Sequence, residues 1–238
     1  MRLDLLAIAP HPDDVELTSG GTISKMSKAG YRVGILDLTR GETGSRGTPE
    51  TRLQEAARAA EILGVKIRRN LGLPDAHLQV SEEHKKAVAE VIREFEPHTV
   101  ILPYWEGRHP DHYTAGQMCY EACFVAGLKN YPLGGLPFRP FKIIYAAAYA
   151  DVRPTFAVDI TDEYEQRKKS ILAYRSQFRP PKKDRKSRVA LPLDDLEERM
   201  NSVARYYGRM IGVKYAEGFV VKEVMQVSDV VRMPVRSL

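Results

Sequence analysis

Apolar positions along this chain fall into two rhythms. Short runs dense in apolar residues, at 3–9, 31–38, 65–71 and 99–102, read as strands, and the first has the character of a buried central parallel strand. Between them, apolar residues recur at helical spacing. The first helix is expected from Gly20 or Gly21 to Ala29, closed by Gly30. The second opens with Thr48 as N-cap and Pro49 in its first turn, and runs through Arg52, Ala56, Ala60 and Leu63 to Gly64. Ser81 caps a third, carrying Ala87, Val88, Val91, Ile92 and Phe95 and stopped by Pro97. A fourth follows Asp111 to about Gly127. This alternation predicts an α/β fold with a doubly wound, mostly parallel sheet and right-handed crossovers.

Further strands are expected at 142–149 and 155–160, then a helix over 159–176 capped by Thr161 or Asp162. A last helix spans about 194–211, with a short strand at 214–222. No internal repeat or linker interrupts the pattern, so residues 1–238 read as a single Rossmann-like domain with a C-terminal elaboration. The glycines Gly20 and Gly21 could form an anion nest or let two backbones approach closely. The chain has no G-x-G-x-x-G and no G-K-[ST], so nucleotide binding has little support and close packing is the reading adopted.

Composition narrows the classes. Of 238 residues, 43% are hydrophobic and 28% charged, which suits a globular domain. No apolar run approaches the ~20 residues needed to span a bilayer, so no membrane association is expected. The start Met1-Arg2-Leu3-Asp4 leads directly into a strand pattern without the architecture of a secretory signal. The two cysteines, Cys119 and Cys123, lie four apart in an expected helix and read as small buried apolar residues. A cytoplasmic protein is the expectation. The net charge of +5 is too mild to imply nucleic acid, and its main basic cluster, RPPKKDRKSR at 179–188, lacks interleaved aromatic residues. That cluster reads first as a solvated loop and second as a cationic rim for an acidic substrate.

The chemistry concentrates at two places. His11-Pro12-Asp13-Asp14 follows the first strand, and His109-Pro110-Asp111-His112 follows the fourth. Both fall at carboxyl ends of central strands, where open α/β sheets bind ligands. His and Asp from one loop and His from another offer three N/O ligands, the arrangement of a catalytic rather than a structural zinc. Pro10 and Pro12 restrict the first loop and preorganise it. A second carboxylate beside a water held by such a metal can serve as general base, since zinc lowers that water's pKa from ~15.7 to ~7. Taken alone, HPDD is equally a turn whose acids cap the next helix. In the second motif a free histidine could stabilise an oxyanion or protonate a leaving amine. Asp111 could orient one of the histidines.

These motifs and their flanks, APHPDDVEL, GGTISK, LTRGETGSRGT, ETRLQEA, LGLPD, PYWEGRHPDH, YRSQF and YAEGF, resemble the LmbE-like/PIG-L zinc-dependent N-deacetylases, and most of all the bacillithiol-pathway N-acetylglucosaminyl-malate deacetylases. The resemblance implies His11, Asp14 and His112 as zinc ligands, Asp13 as general base and His109 as stabiliser of the tetrahedral intermediate. It implies Arg52 and Asp75 as substrate contacts, with Ser45 and Arg46 reaching towards the aglycone and Tyr174 and Glu217 as further candidates. The implied activity is hydrolysis of the N-acetyl group of an N-acetylglucosamine derivative, with Zn2+ or another divalent metal such as Fe2+, a small amino-sugar substrate, and a homo-oligomer, hexameric in bacillithiol-type relatives. The alternatives are a deacetylase of another conjugate, such as diacetylchitobiose or a mycothiol precursor, and a non-catalytic metal- or carbohydrate-binding protein.

Overall fold

The computed structural model describes residues 1–178 and 195–235; the basic segment at 179–188 lies outside the described residues. Seven strands form one sheet in the order β3-β2-β1-β4-β5-β7-β6. They are β1 (Leu5–Ala9), β2 (Val33–Thr39), β3 (Ile67–Leu73), β4 (Thr99–Pro103), β5 (Lys142–Ala146), β6 (Phe156–Asp159) and β7 (Ala216–Val220). The first five run parallel, whereas β7 is antiparallel to both β5 and β6. The helices are α1 (Asp14–Lys28), α2 (Pro49–Leu63), α3 (Glu82–Phe95), α4 (Pro110–Ala126), α5 (Tyr164–Ala173), the short α6 (Arg175–Phe178) and α7 (Leu196–Ile211).

The period-two alternation of β1 divides the core between the two faces of the sheet. Leu5, Ala7 and Ala9 pack with Ile23, Ala60 and Leu63 of α1 and α2, while Leu6 and Ile8 pack with Val88, Ile92 and Met118 of α3 and α4. Cys119 and Cys123 are free and buried in that second layer. Because β1 pairs with β2 on one side and β4 on the other, the sheet reverses its winding between β1 and β4. Their carboxyl ends therefore open the crevice into which both His-containing loops project.

Several boundaries differ from the sequence expectation. Helix α1 begins at Asp14, six residues before Gly20, because the turn after β1 closes at once: Asp13 adopts a left-handed φ of 105°, and its carbonyl accepts the N–H of Leu17. Strand β5 stops at Ala146 and β6 begins only at Phe156. Helix α5 begins at Tyr164 instead of 159, since the N–H and hydroxyl of Thr161 both donate to the Asp159 carboxylate and that turn holds the chain out of the helix. Its N-cap is Glu163.

The glycine pair lies inside α1. A Cβ on Gly21 would meet Ile160 at 2.7 Å, so only glycine lets α1 sit against the end of β6. The N–H groups of Gly21 and Thr22 do face an anion, but it is the protein's own Glu217 carboxylate, at 2.8 and 2.7 Å. Glu217 pairs in turn with Arg167 of α5 at 3.2 Å, and Arg167 donates to the carbonyls of Glu16 and Leu17. A buried ion pair thus serves main-chain groups in the middle of α1, tying α1, α5 and β7 together. Replacing one member of such a pair strands the other charge without water, at a typical cost of about 3–5 kcal/mol. Arg167→Met is expected to lose stability on that scale in denaturant unfolding, and more than Lys28→Met, which removes the exposed end of the Lys28–Glu163 pair.

Candidate metal centre and active site

Four residues, Pro10 to Asp13, join β1 to α1. The loop is held from both sides. The N–H and hydroxyl of Thr39 donate to the Pro10 carbonyl at 2.9 and 3.0 Å, and Arg52 donates to the Pro12 carbonyl at 2.6 Å. Within the turn, Asp14 Oδ2 accepts the His11 main-chain N–H at 3.0 Å. The α4 motif approaches from the other side of the crevice. Pro110 begins α4, and His109 is its N-cap, with Nδ1 accepting the Asp111 N–H at 3.3 Å.

The candidate ligand atoms of His11, Asp14 and His112 all lie within 4.8 Å of one another. Asp14 Oδ2 is 3.1 Å from His11 Nδ1 and 3.4 Å from His112 Nε2. Two imidazole nitrogens and one carboxylate oxygen, with no thiolate, form a donor set suited to zinc and to other divalent first-row metals. Two of the three groups are in the protonation state that a metal needs. Burial, with the charges of His11 and His109, lowers the pKa of His112 and keeps the imidazole neutral. Asp14, although buried, is held ionised by the His112 and His11 rings.

Behind His11 lies a second layer. Its Nε2 is 3.0 Å from Asp75 Oδ1 and 3.2 Å from Asp111 Oδ2. Burial alone would disfavour a charged His11, but Asp111, Asp14 and Asp75 outweigh it and hold its pKa well above the usual value. A metal at Nδ1, the atom facing Asp14, would displace that nitrogen's proton and leave Nε2 carrying the other one towards the two carboxylates. Such carboxylate–histidine pairing fixes the tautomer and orientation of a metal ligand. Asp75 is itself fixed, since its Oδ2 accepts the N–H and hydroxyl of Thr43 at 2.9 and 2.6 Å.

Asp13 stands apart from this set. Its carboxylate is 3.0 Å from Arg52 Nη2. Burial raises its pKa, the Arg52 charge opposes the rise, and Asp14 adds to it, so that it stands at about 7. An acid that exchanges its proton near neutrality is matched to general-base work. Asp13, Asp14, His109 and His112 lie on the wall of one cavity of about 500 Å³, which Tyr104, Tyr149 and Phe178 also line. His109 is exposed, with its ring 4.8 Å from that of His112. Because its Nδ1 accepts the Asp111 N–H, Nε2 is the ring nitrogen that carries a proton and can donate.

Other expected contacts fall elsewhere. Asp75, expected as a substrate contact, is buried against His11 and is not among the residues lining the cavity. Arg52 is only 5% exposed and is spent on Pro12 and Asp13, behind the cavity wall. Ser45 is exposed on its loop, and Arg46 bonds the Gln177 carbonyl at 3.1 Å; neither is part of the cavity wall. Tyr174 is buried, donating to Glu16, and Glu217 belongs to the α1 splice. In contrast, Tyr149 escapes a reading of the sequence. It lines the cavity with its ring 5.4 Å from that of His112, and it sits in a loop after β5 with no motif around it. Phe178 likewise reaches the cavity from α6.

The family described as "PIG-L: GlcNAc-PI de-N-acetylase" matches residues 6–123, the stretch carrying both His motifs. The diacetylchitobiose deacetylase of Thermococcus kodakarensis is 35% identical over 230 residues, covering 90% of this chain and 81% of that protein. The chain belongs to the PIG-L/LmbE-like deacetylase family. A probable N-acetyl-alpha-D-glucosaminyl L-malate deacetylase 2 of Bacillus cereus is 28% identical over 196 residues, covering 74% of this chain and 84% of that protein. Among solved structures, the conserved protein TT1542 of Thermus thermophilus superposes with a TM-score of 0.85 at 41% identity, covering 95% of this chain and 98% of that one. No described helix is long and apolar enough to cross a membrane.

Losing a carboxylate partner of a metal-bound histidine typically weakens metal binding about 10–100-fold. Asp75→Ala is therefore expected to raise the zinc dissociation constant by about that factor in a chelator-competition titration, whereas Ser45→Ala leaves it unchanged.

Proposed function

We propose that this chain is a metal-dependent deacetylase that releases acetate from an N-acetylglucosamine unit of a short, neutral saccharide, diacetylchitobiose being the representative substrate. The observation that carries the reading is Asp13: a buried acid with a pKa of about 7, on the cavity wall, next to a complete His11–Asp14–His112 ligand set. Metal or carbohydrate binding alone does not need a second acid poised near neutrality beside the ligand set, which disfavours the non-catalytic alternative. Zinc is the ion proposed, and it would act as a Lewis acid that polarises the acetyl carbonyl and makes water available as a nucleophile at neutral pH.

The roles of the chain's own residues follow. Asp13 takes a proton from the attacking water as its oxygen bonds to the acetyl carbon. His109, a donor through Nε2, steadies the negative oxygen that results. As the C–N bond breaks, the proton held by Asp13 passes to the departing nitrogen, which leaves as the amine, and acetate is the second product. Tyr104, Tyr149 and Phe178, which line the cavity, offer the flat apolar surfaces that sugar rings pack against.

The malate glycoside of the bacillithiol pathway is less well supported. Its two carboxylates call for free cations, yet Arg46 is bonded to Gln177 and Arg52 to Asp13, leaving Arg108 as the cation on the cavity wall among the described residues. The identity to the Thermococcus kodakarensis diacetylchitobiose deacetylase points the same way.

Two measurements test the reading. Asp13→Asn is expected to retain its metal while kcat falls by about 10² to 10⁴; loss of the metal instead would make Asp13 a ligand. For the substrate, kcat/KM for diacetylchitobiose is expected to exceed that for N-acetylglucosaminyl-malate, with acetate release as the readout. The reverse order would restore the malate glycoside as the preferred substrate.

A further inference from the structure

The loop joining β4 to α4 carries much of the cavity wall. Tyr104, Glu106, Gly107, Arg108 and His109 all line it, but Trp105, in their midst, does not. The Trp105 indole turns to the protein side, stacking on Tyr104 with ring centroids 4.1 Å apart and meeting Tyr145 edge-on at 4.6 Å. Its main chain presses on α4 at Gly116, where a Cβ would come within 3.1 Å of Trp105 Cα and 2.7 Å of the Pro103 carbonyl.

A cation completes this arrangement. Lys222 Nζ lies 4.4 Å from the ring centroid of Trp105, 4.4 Å from that of Tyr120 and 5.1 Å from that of Tyr145. The three rings come from three separate places: the β4–α4 loop, α4 and β5. The lysine comes from a fourth, two residues beyond β7. Its root is pinned, because Val221 N donates to Thr155 Oγ1 at 3.0 Å and Thr155 N donates to the Phe219 carbonyl at 2.8 Å. The backbone that carries Lys222 is therefore anchored to the antiparallel part of the sheet.

We propose that Lys222 is a positioning residue for substrate binding: its ammonium, seated among Trp105, Tyr120 and Tyr145, holds the 104–109 loop in the conformation that presents Tyr104, Glu106 and Arg108 to the saccharide. The inference rests on reading the cavity as an amino-sugar site. Lys222 touches no reacting group, so its loss affects how the substrate is held more than how fast the bound substrate reacts. His109 is insulated by its own hydrogen bond to the start of α4.

Trp105 is the single tryptophan of the chain, so its fluorescence reports on this loop alone. The test compares Lys222→Met, which keeps the length and removes the charge, with Lys222→Arg, which keeps a cation over the rings. A cation–π contact of this kind contributes enough for about a two- to tenfold effect. For Lys222→Met the expected result is a KM for diacetylchitobiose raised by about that factor, kcat within about twofold of the parent, and faster acrylamide quenching of Trp105. Lys222→Arg is expected to return both KM and quenching towards the parent values. Quenching that is unchanged in Lys222→Met, or a fall in kcat with KM unmoved, would overturn the proposal. If the parent protein deacetylates no amino sugar, the proposed function fails on that result, and the quenching comparison still decides whether Lys222 holds the loop.

Discussion

The turn between β1 and α1 is the constraint on which the rest of the site depends. Four residues must reverse the chain, bring His11 and Asp14 together in one ligand set and turn Asp13 to Arg52. The left-handed backbone of Asp13 makes this possible, at a cost of order 1–3 kcal/mol for a non-glycine residue. Such a conformation persists only when its surroundings over-determine it. Here Thr39 holds one end of the turn, Arg52 the other, and Asp14 closes the middle against the His11 N–H. Arg52 has a double function in this arrangement, since the guanidinium that pins the Pro12 carbonyl also faces the Asp13 carboxylate.

That turn becomes a site because the sheet changes direction beside it. With β2 on one flank of β1 and β4 on the other, the loop after β4 arrives at the same edge and brings His109, Asp111 and His112. Asp111 crosses the crevice to His11, so the two motifs are bonded to each other as well as juxtaposed. The carboxylates beneath His11 and the acid on the cavity wall have different environments and hence different states. Asp75 and Asp111 have their pKa values held low by hydrogen bonds from His11 and its neighbours, while Asp13 is raised. Groups of one chemical type thereby differ in charge: two are held as carboxylates against His11, and one is raised towards neutrality.

Much of this is legible in the sequence, and the reasons are local. Strands β1 and β4, the Thr48 and Ser81 caps, and the two HPD motifs depend on residues adjacent in the chain, so pattern alone locates them. The start of α1 is misplaced by pattern because Gly20-Gly21 imitates a helix boundary, whereas the true boundary depends on a positive φ at an aspartate. The position of β7 between β5 and β6 rests on pairings between residues far apart in the chain, such as Tyr145 with Val220 and Phe156 with Phe219, which no local periodicity encodes. The sequence offers Asp75 only as a substrate contact after β3; the tertiary fold is what brings it against His11. Tyr149 and Lys222 lie outside any motif and acquire meaning only from the groups brought around them.

Whether His11, Asp14 and His112 together form one metal centre with nitrogen and oxygen ligands is tested most directly by X-ray absorption at the zinc edge, on zinc-loaded protein and on zinc-loaded His112→Ala. The expected result is a first shell of nitrogen and oxygen at about 2.0–2.2 Å, with the scattering signature of two imidazoles in the parent and of one in the variant. A sulfur shell near about 2.3 Å, or an imidazole signal undiminished in His112→Ala, would contradict it.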